Sequence, residues 1–169
     1  TLGEQGKAYV NPDITENDMK VLRKTELEKA ATFLGISKII LDELSDRNLE
    51  KDLYILSQKI YKVIKDEKPE VILSFGPDGY TGHKDHSIIG ETTERIAKEL
   101  NLPYFAFSHP PESICKNFVE YLTQKRVNGS YFDNFEKIEP DVQIKVDPLI
   151  KMEVLKIYQS QFPGLDPYK

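Results

Sequence analysis

The hydrophobic pattern of the chain changes repeatedly between a helical and an extended period. Apolar residues recur every three or four positions in four stretches, a spacing typical of helices with one buried face. The predicted helices cover 17–34, 53–64, 87–100 and 149–159. Between them lie short runs rich in apolar residues or alternating with polar ones, which indicate strands. The predicted strands lie at 36–41, 71–75, 103–107, 118–122 and 142–146.

The order of these elements predicts the fold class. Strands that alternate with helices indicate a layered α/β fold with a mainly parallel sheet. The run Val71–Phe75 is largely apolar on both faces, which is typical of a buried parallel strand. No repeat, low-complexity segment or second domain is visible, so we expect a single domain over 1–169. Ligands of such sheets bind beyond the carboxyl ends of the strands.

The composition excludes several classes of function. The chain is 39% hydrophobic and 30% charged, as is usual for globular proteins, and its net charge of −5 argues against a nucleic-acid surface. No apolar run is long enough for a membrane-spanning helix. The single cysteine, Cys115, cannot form an internal disulfide, so we expect a reducing, cytoplasmic compartment. The oligomeric state stays open, a homo-oligomer included.

The candidate chemistry is concentrated in one glycine-rich loop. SFGPDGYTGHKDH, residues 74–86, contains two of the three histidines, His83 and His86, with Asp85 between them. If a helix begins here, the two imidazoles lie on the same face. Imidazole is the commonest metal ligand and exchanges protons near neutral pH, and a carboxylate beside it can fix its orientation. The loop therefore predicts a metal or proton-transfer site.

Other interpretations of this loop stay open. Two histidines on a polar loop can be accidental, although a His-x-Asp-His cluster after an apolar strand favours a function. Catalytic zinc usually takes three protein ligands, and this loop offers one or two. His109, at the exit of the strand 103–107, is a candidate third ligand, but the two prolines that follow it favour a structural role.

Five segments of the chain carry recognisable motifs, in this order: Thr1–Gly6, Arg23–Glu26, Ser45–Leu49, Gly82–His86 and Ser160-Gln161. They resemble the motifs Thr-x-Gly-Glu-x-Gly, Arg-x-x-Glu, Pro-Asp-x-x-Leu, Gly-His-Pro-Asp-His and a closing Ser-Gln of one enzyme family. This family is the PIG-L/LmbE-like zinc-dependent N-acetylglucosaminyl deacetylases. Lys84 stands where the family usually has proline. The resemblance spans nearly the whole chain and implies a Rossmann-like three-layer fold of the LmbE type.

The resemblance also implies a role for each matching residue. His86 corresponds to a zinc ligand, and His83 to the general acid that helps to stabilise the oxyanion. Asp85 corresponds to the carboxylate that orients and charges that histidine. For Arg23, a solvated pair with Glu26 is the alternative to a contact with substrate. The candidate substrate contacts are Arg23, Arg47, Tyr80 and Thr81.

A further family signature, His-Pro-Asp-Asp-Glu, is absent from the sequence. Family members take two zinc ligands and the general base from it, so we expect these groups upstream of Thr1 and expect the 169 residues alone to be inactive. The resemblance implies an enzyme that uses one zinc ion and hydrolyses the N-acetyl group of a small-molecule N-acetylglucosamine conjugate. One alternative is a non-catalytic sugar- or ligand-binding remnant of the same fold. A nucleotide-binding domain has less support, because no strand leads into Gly-x-Gly-x-x-Gly.

Overall fold

The computed structural model describes residues 1–6, 13–77, 79–107 and 140–162. Its elements are α1 (Glu16–Leu34), a 3-10 turn (Leu49–Asp52), α2 (Leu53–Glu67), β1 (Ile72–Phe75), α3 (Gly79–Gly82), α4 (Lys84–Glu99), β2 (Tyr104–Phe107) and α5 (Pro148–Ile157). β1 and β2 are parallel, which agrees with the predicted α/β class. In the described part of the chain, no helix is both long and apolar enough to cross a membrane. The predicted strand 118–122 and His109 lie outside these residues.

The chain divides into two compact units. Unit 1 comprises Thr1–Asp46 and Ile144–Lys169, and unit 2 comprises Arg47–Gln143. Unit 1 contains α1 and α5, which contact each other. Unit 2 contains the 3-10 turn, the helices α2 to α4 and the two-stranded sheet.

Capping residues explain where the helices of unit 1 begin and end. The hydroxyl of Thr15 accepts the amide of Asp18 at 3.1 Å and so caps α1 at its start. Gly35 ends α1 in the left-handed conformation, with φ of 71°. Asp147 accepts the amide of Leu149 at 2.8 Å and caps α5. These local signals were readable from the sequence, and both helices lie close to their predicted bounds.

The core of unit 2 lies between one face of the sheet and the helices α2 and α4. Ile64 of α2, Ile72 of β1, and Ile96 with Ala97 of α4 form its buried cluster. Gly90 lets α4 approach the end of β1, because a Cβ at this position would lie 2.3 Å from the carbonyl oxygen of Phe75. The first turns of α4 are therefore held beside the carboxyl end of β1.

Several predicted boundaries and strands are wrong. The runs 36–41 and 142–146 contain no strand, and their side chains are exposed, by 51% at Ile40 and 80% at Ile144. An apolar run forms a strand only where a neighbouring strand takes its backbone hydrogen bonds, and none does so here within the described residues. β1 is parallel as predicted but is buried on one face only, because Leu73 is 59% exposed. α4 begins at Lys84, three residues before its predicted start.

Candidate functional site

His83 is the N-cap of α4. Its backbone is extended, and its Nδ1 accepts the amide hydrogen of Asp85 at 3.2 Å. This hydrogen bond satisfies one of the amides that the first helical turn leaves without a partner. A nitrogen that accepts carries a lone pair, so in the neutral ring the proton lies on Nε2. The neutral tautomer that fits this hydrogen bond therefore has its N–H at the far side of the ring.

His86 lies in the first turn of α4, with its ring packed between two aromatic neighbours. It stacks on Phe75, with ring centroids 4.1 Å apart and planes within 7°, and its centroid lies 4.6 Å from that of His83. Its Nδ1 lies 3.2 Å from the carbonyl oxygen of Gly79. A carbonyl can only accept, so Nδ1 is the donor, and in the neutral ring the lone pair lies on Nε2. The neutral ring can then bind a metal through Nε2.

The backbone at Gly79 makes this contact possible. Gly79 has φ of 63°, and a Cβ on it would lie 2.9 Å from the hydroxyl of Ser87 and 3.2 Å from the Cβ of His86. Only glycine fits both the left-handed conformation and the close approach. The glycine-rich character of the loop is thus required at this position to bring a carbonyl onto His86.

Asp85 is almost fully buried, with 5% of its surface exposed. Its carboxylate accepts the amide of Arg47 at 2.6 Å and the amide of Leu49 at 3.3 Å. The sequence predicted that this carboxylate would orient His83. In the structure the hydrogen bond to the His83 ring comes from the main-chain amide of Asp85.

Arg47 and Tyr80 share an unusual backbone conformation. Four non-glycine residues of the described chain have positive φ, and two of them, Lys68 and Asn101, lie at the ends of helices, where a left-handed residue is normal. Arg47, with φ of 62°, and Tyr80, with φ of 64°, have no such explanation. Strained residues of this kind collect at functional sites. Thr81 follows Tyr80 in the same helical turn, α3.

Arg23 belongs to unit 1, on α1. Its guanidinium lies over Tyr158, with Cζ 5.9 Å from the ring centroid, and against Gly3, where a Cβ would lie 3.2 Å from Nη2. The alternative of a solvated pair with Glu26 is wrong, because Glu26 is buried and its carboxylate accepts the amide and hydroxyl of Ser160 at 2.7 and 2.6 Å. The Nη1 of Arg23 is buried and has no hydrogen-bond partner among the described residues.

Glu4 is a residue of unit 1 that the sequence did not single out. It is 7% exposed, and its Oε1 accepts the amide of Asp46 at 3.0 Å and lies 3.7 Å from the ammonium of Lys20. Its Oε2 is buried and has no hydrogen-bond partner in the described part of the chain. A buried carboxylate oxygen without a donor is unusual and marks this position for study. Its place in Thr1–Gly6, a segment with motif-like spacing, was the available signal.

The described residues offer part of a metal site. With Nδ1 on the carbonyl of Gly79, the neutral ring of His86 has its lone pair on Nε2, and an imidazole nitrogen is a donor that zinc accepts. Over the ranges that the structure describes, no group of three or more His, Cys, Asp or Glu side chains is arranged to hold a metal ion. His86 can therefore be one ligand of a zinc ion but does not form a complete site with the other described residues.

The structure brings His83, Asp85, His86 and the main chain of Arg47 together in unit 2, at the end of β1 where α/β sheets bind ligands. Tyr80 and Thr81 belong to the turn that precedes His83. Arg23 lies in unit 1. A separate cavity of unit 1, about 400 Å³ in volume, is lined by Glu4, Lys20 and Lys24 among others and includes none of the predicted site residues.

Comparison with known proteins identifies similar chains. A family model described as "PIG-L: GlcNAc-PI de-N-acetylase" matches residues 1–97 of the 169. This match begins with the Thr1–Gly6 segment and includes the whole loop from Ser74 to His86. No solved structure matches the chain significantly.

Two curated relatives are each named probable N-acetyl-alpha-D-glucosaminyl L-malate deacetylase 2. The one from Bacillus anthracis is 36% identical over 93 residues, which are 54% of this chain and 41% of the relative. The one from Bacillus subtilis (strain 168) is 28% identical over an alignment of 169 positions, which covers 98% of this chain and 69% of the relative. The chain thus spans less than half of the first relative and about two thirds of the second.

Proposed function

The chain belongs to the PIG-L family of GlcNAc-PI de-N-acetylases, and on that premise we propose that the full-length protein is a zinc-dependent N-deacetylase. It hydrolyses the N-acetyl group of a small molecule that contains N-acetylglucosamine and releases acetate and a free amine. The family membership and the names of the two relatives support the deacetylase reaction. We further propose that both compact units belong to one LmbE-like domain with a Rossmann-like three-layer fold, since the family match runs from unit 1 into unit 2.

The observation that carries the proposal is the pair of different main-chain contacts made by Nδ1 of His83 and Nδ1 of His86. The main chain fixes Nδ1 of His83 as an acceptor and Nδ1 of His86 as a donor. In the neutral rings that fit these contacts, Nε2 of His83 carries the proton and Nε2 of His86 carries the lone pair. One imidazole is suited to donate a hydrogen bond and its neighbour is suited to bind a metal, although the two residues have the same side chain.

His86 would hold the zinc ion, with the remaining ligands supplied from outside the described residues. The bound ion would polarise the acetyl carbonyl and activate a water molecule. The stack on Phe75 and the bond to Gly79 fix the direction of the His86 lone pair. Such fixed orientation is what a metal-binding histidine gains from its surroundings.

His83 would act on the oxygen of the acetyl group. In amide hydrolysis that oxygen gains negative charge, and a donor already in place stabilises it without reorganisation. The Nε2–H of His83 is such a donor. Protonation of the leaving amine by His83 needs a second proton on the ring, and Nδ1 can take it only by releasing the amide of Asp85. His83 thus supports the oxyanion directly, while its role as general acid requires a change at the helix N-terminus.

The substrate contacts we propose are Arg23, Arg47, Tyr80 and Thr81. The strained backbone of Arg47 and Tyr80 supports this assignment, as does the buried Nη1 of Arg23, which has no partner within the described chain. A sugar hydroxyl or carboxylate bound to that nitrogen would satisfy it.

Acetate release tests the proposal. The full-length protein, loaded with zinc, is incubated with N-acetylglucosaminyl L-malate, the conjugate in the names of both relatives, and with other N-acetylglucosaminides. We expect acetate and a primary amine in equal amounts, and a loss of about 10²–10³-fold in kcat for His83→Ala. Binding of the sugar without acetate release would favour the non-catalytic alternative. An unchanged rate in His83→Ala would contradict the role given to that residue.

A further inference from the structure

The carboxylate of Asp85, within the histidine loop, accepts two hydrogen bonds. It is buried and accepts two main-chain amides, those of Arg47 and Leu49, from a segment 36 to 38 residues away in the sequence. Hydrogen bonds from amides to a buried carboxylate are strong, because the acceptor is charged and water is excluded. Asp85 is therefore a buried link between the start of α4 and the turn that contains Arg47.

The turn that contains Arg47 has a backbone conformation that its surroundings must stabilise. Arg47 has φ of 62°, in a region that L-residues rarely adopt, so the surrounding structure must hold it there. Its amide makes the shorter of the two bonds to Asp85, at 2.6 Å. A second link between the same segments, the ion pair of Lys84 with Glu50, lies at the surface, where such pairs contribute little.

We propose that Asp85 is a positioning residue for Arg47: its carboxylate fixes the 47–49 turn so that the guanidinium is presented to substrate, and its main-chain amide binds the ring of His83. This inference rests on the proposed function for the role of Arg47. It differs from the expectation that the carboxylate serves His83, because the two functional groups of Asp85 serve two different partners.

The substitution Asp85→Asn separates the two groups. It preserves the main-chain amide that binds His83 and the shape of the side chain, but the amide side chain can accept well from at most one of the two turn amides. By hydrogen exchange on the full-length protein, we expect the amides of Arg47 and Leu49 to exchange about 10- to 100-fold faster in the variant. Lys84→Ala, the matched control, breaks the surface link between the same segments and leaves both amides protected.

A double-mutant cycle then tests whether the carboxylate acts through Arg47. In the parent, Asp85→Asn should raise KM more than it lowers kcat and should reduce kcat/KM by about tenfold or more. In the Arg47→Ala background the same change should cost less than about threefold, because the group it positions is gone. In the His83→Ala background it should keep its full effect on kcat/KM.

Three results would overturn the inference. The first is unchanged exchange at Arg47 and Leu49 in Asp85→Asn. The second is that Asp85→Asn lowers kcat/KM by the same factor in Arg47→Ala as in the parent. The third is that Asp85→Asn no longer lowers kcat/KM in His83→Ala. If Asp85→Asn does not fold, Arg47→Ala decides by itself, since this variant keeps both bonds to Asp85, and an unchanged KM would refute the role of its side chain. If the parent releases no acetate, the proposed function fails, and the exchange comparison alone decides whether Asp85 holds the turn.

Discussion

Gly90→Ala is a substitution for which two simple expectations have opposite sign. Alanine is the better helix former, and replacing a glycine inside a helix normally stabilises a protein by about 1 kcal/mol. At Gly90, however, the new Cβ would lie 2.3 Å from the carbonyl oxygen of Phe75, 3.0 Å from its carbonyl carbon and 3.1 Å from the oxygen of Gly76. All three are main-chain atoms and cannot rotate away.

The magnitude follows from the displacement that these contacts require. Ordinary contact begins at 3.4 Å, so α4 and the end of β1 must separate by about 1 Å. Overpacking of this kind typically costs about 1–3 kcal/mol, and the rigid main chain on both sides favours the upper end. After the gain in helix propensity, we expect a net loss of about 2 kcal/mol and a fall in Tm of about 4–8 °C.

Urea unfolding of the full-length protein, monitored by circular dichroism, measures this difference. Glu91→Ala is the matched control, because Glu91 is the exposed neighbour on the same helix and its replacement tests helix propensity without the contact. The control should change stability by less than about 0.5 kcal/mol. A Gly90→Ala protein more stable than its parent would refute the close approach of α4 to β1, and with it the placement of His86 beside Phe75.

Three further substitutions test other contacts. Ser160→Ala removes the hydroxyl that lies 2.6 Å from buried Glu26 and should cost about 1.5–3 kcal/mol by urea unfolding; a cost below about 0.5 kcal/mol would contradict that bond. Burial acts to raise the pKa of Glu4, but the amide of Asp46 and the ammonium of Lys20 outweigh it and hold the pKa below its ordinary value of 4.5. The stability that the ionised carboxylate provides is therefore present above pH 4.5 and is lost as the pH falls through the folded-state pKa. In acid unfolding, Glu4→Gln should therefore lose less stability than the parent as the pH falls. Identical acid unfolding profiles of parent and variant would contradict the lowered pKa of Glu4. Tyr104→Phe removes hydroxyl bonds to the carbonyls of Phe75 and Gly90 and should cost about 1 kcal/mol at neutral pH. Burial raises the pKa of Tyr104 above 10.0, so the stability linked to its neutral form is complete below pH 10.0 and lost as the pH rises through the folded-state pKa; the difference between parent and variant should therefore narrow in alkali, and a constant difference would contradict the assignment.

The parts of the fold that local signals specify could be predicted from the sequence. Thr15 and Gly35 bound α1 through capping, and the period of apolar residues located α2 and most of α4. The strands at 36–41 and 142–146 were predicted wrongly, because a strand depends on a neighbour that a local pattern does not reveal. The early start of α4 was missed because its N-cap is His83, a residue type that is not among the usual caps.

The sequence located the candidate site but did not predict its internal arrangement. The loop 74–86 and the positions His83, Asp85 and His86 follow from residue type, spacing and the resemblance. The partner of each hydrogen bond does not follow from the sequence, because the side chain and the main-chain amide of one residue can bind different partners, as they do in Asp85. Long-range partners such as Ser160 for Glu26, which are 134 residues apart, carry no local signal.

Zinc content measured together with acetate release is the most direct test of the central claim, that His86 binds the metal and His83 assists the reaction. The full-length parent, His86→Ala and His83→Ala are dialysed against zinc-buffered solution, and bound metal is measured by mass spectrometry alongside turnover. We expect His86→Ala to lose zinc and activity together, and His83→Ala to keep its zinc and lose turnover by about 10²–10³-fold. Full zinc content in His86→Ala, or full turnover in His83→Ala, would contradict the account.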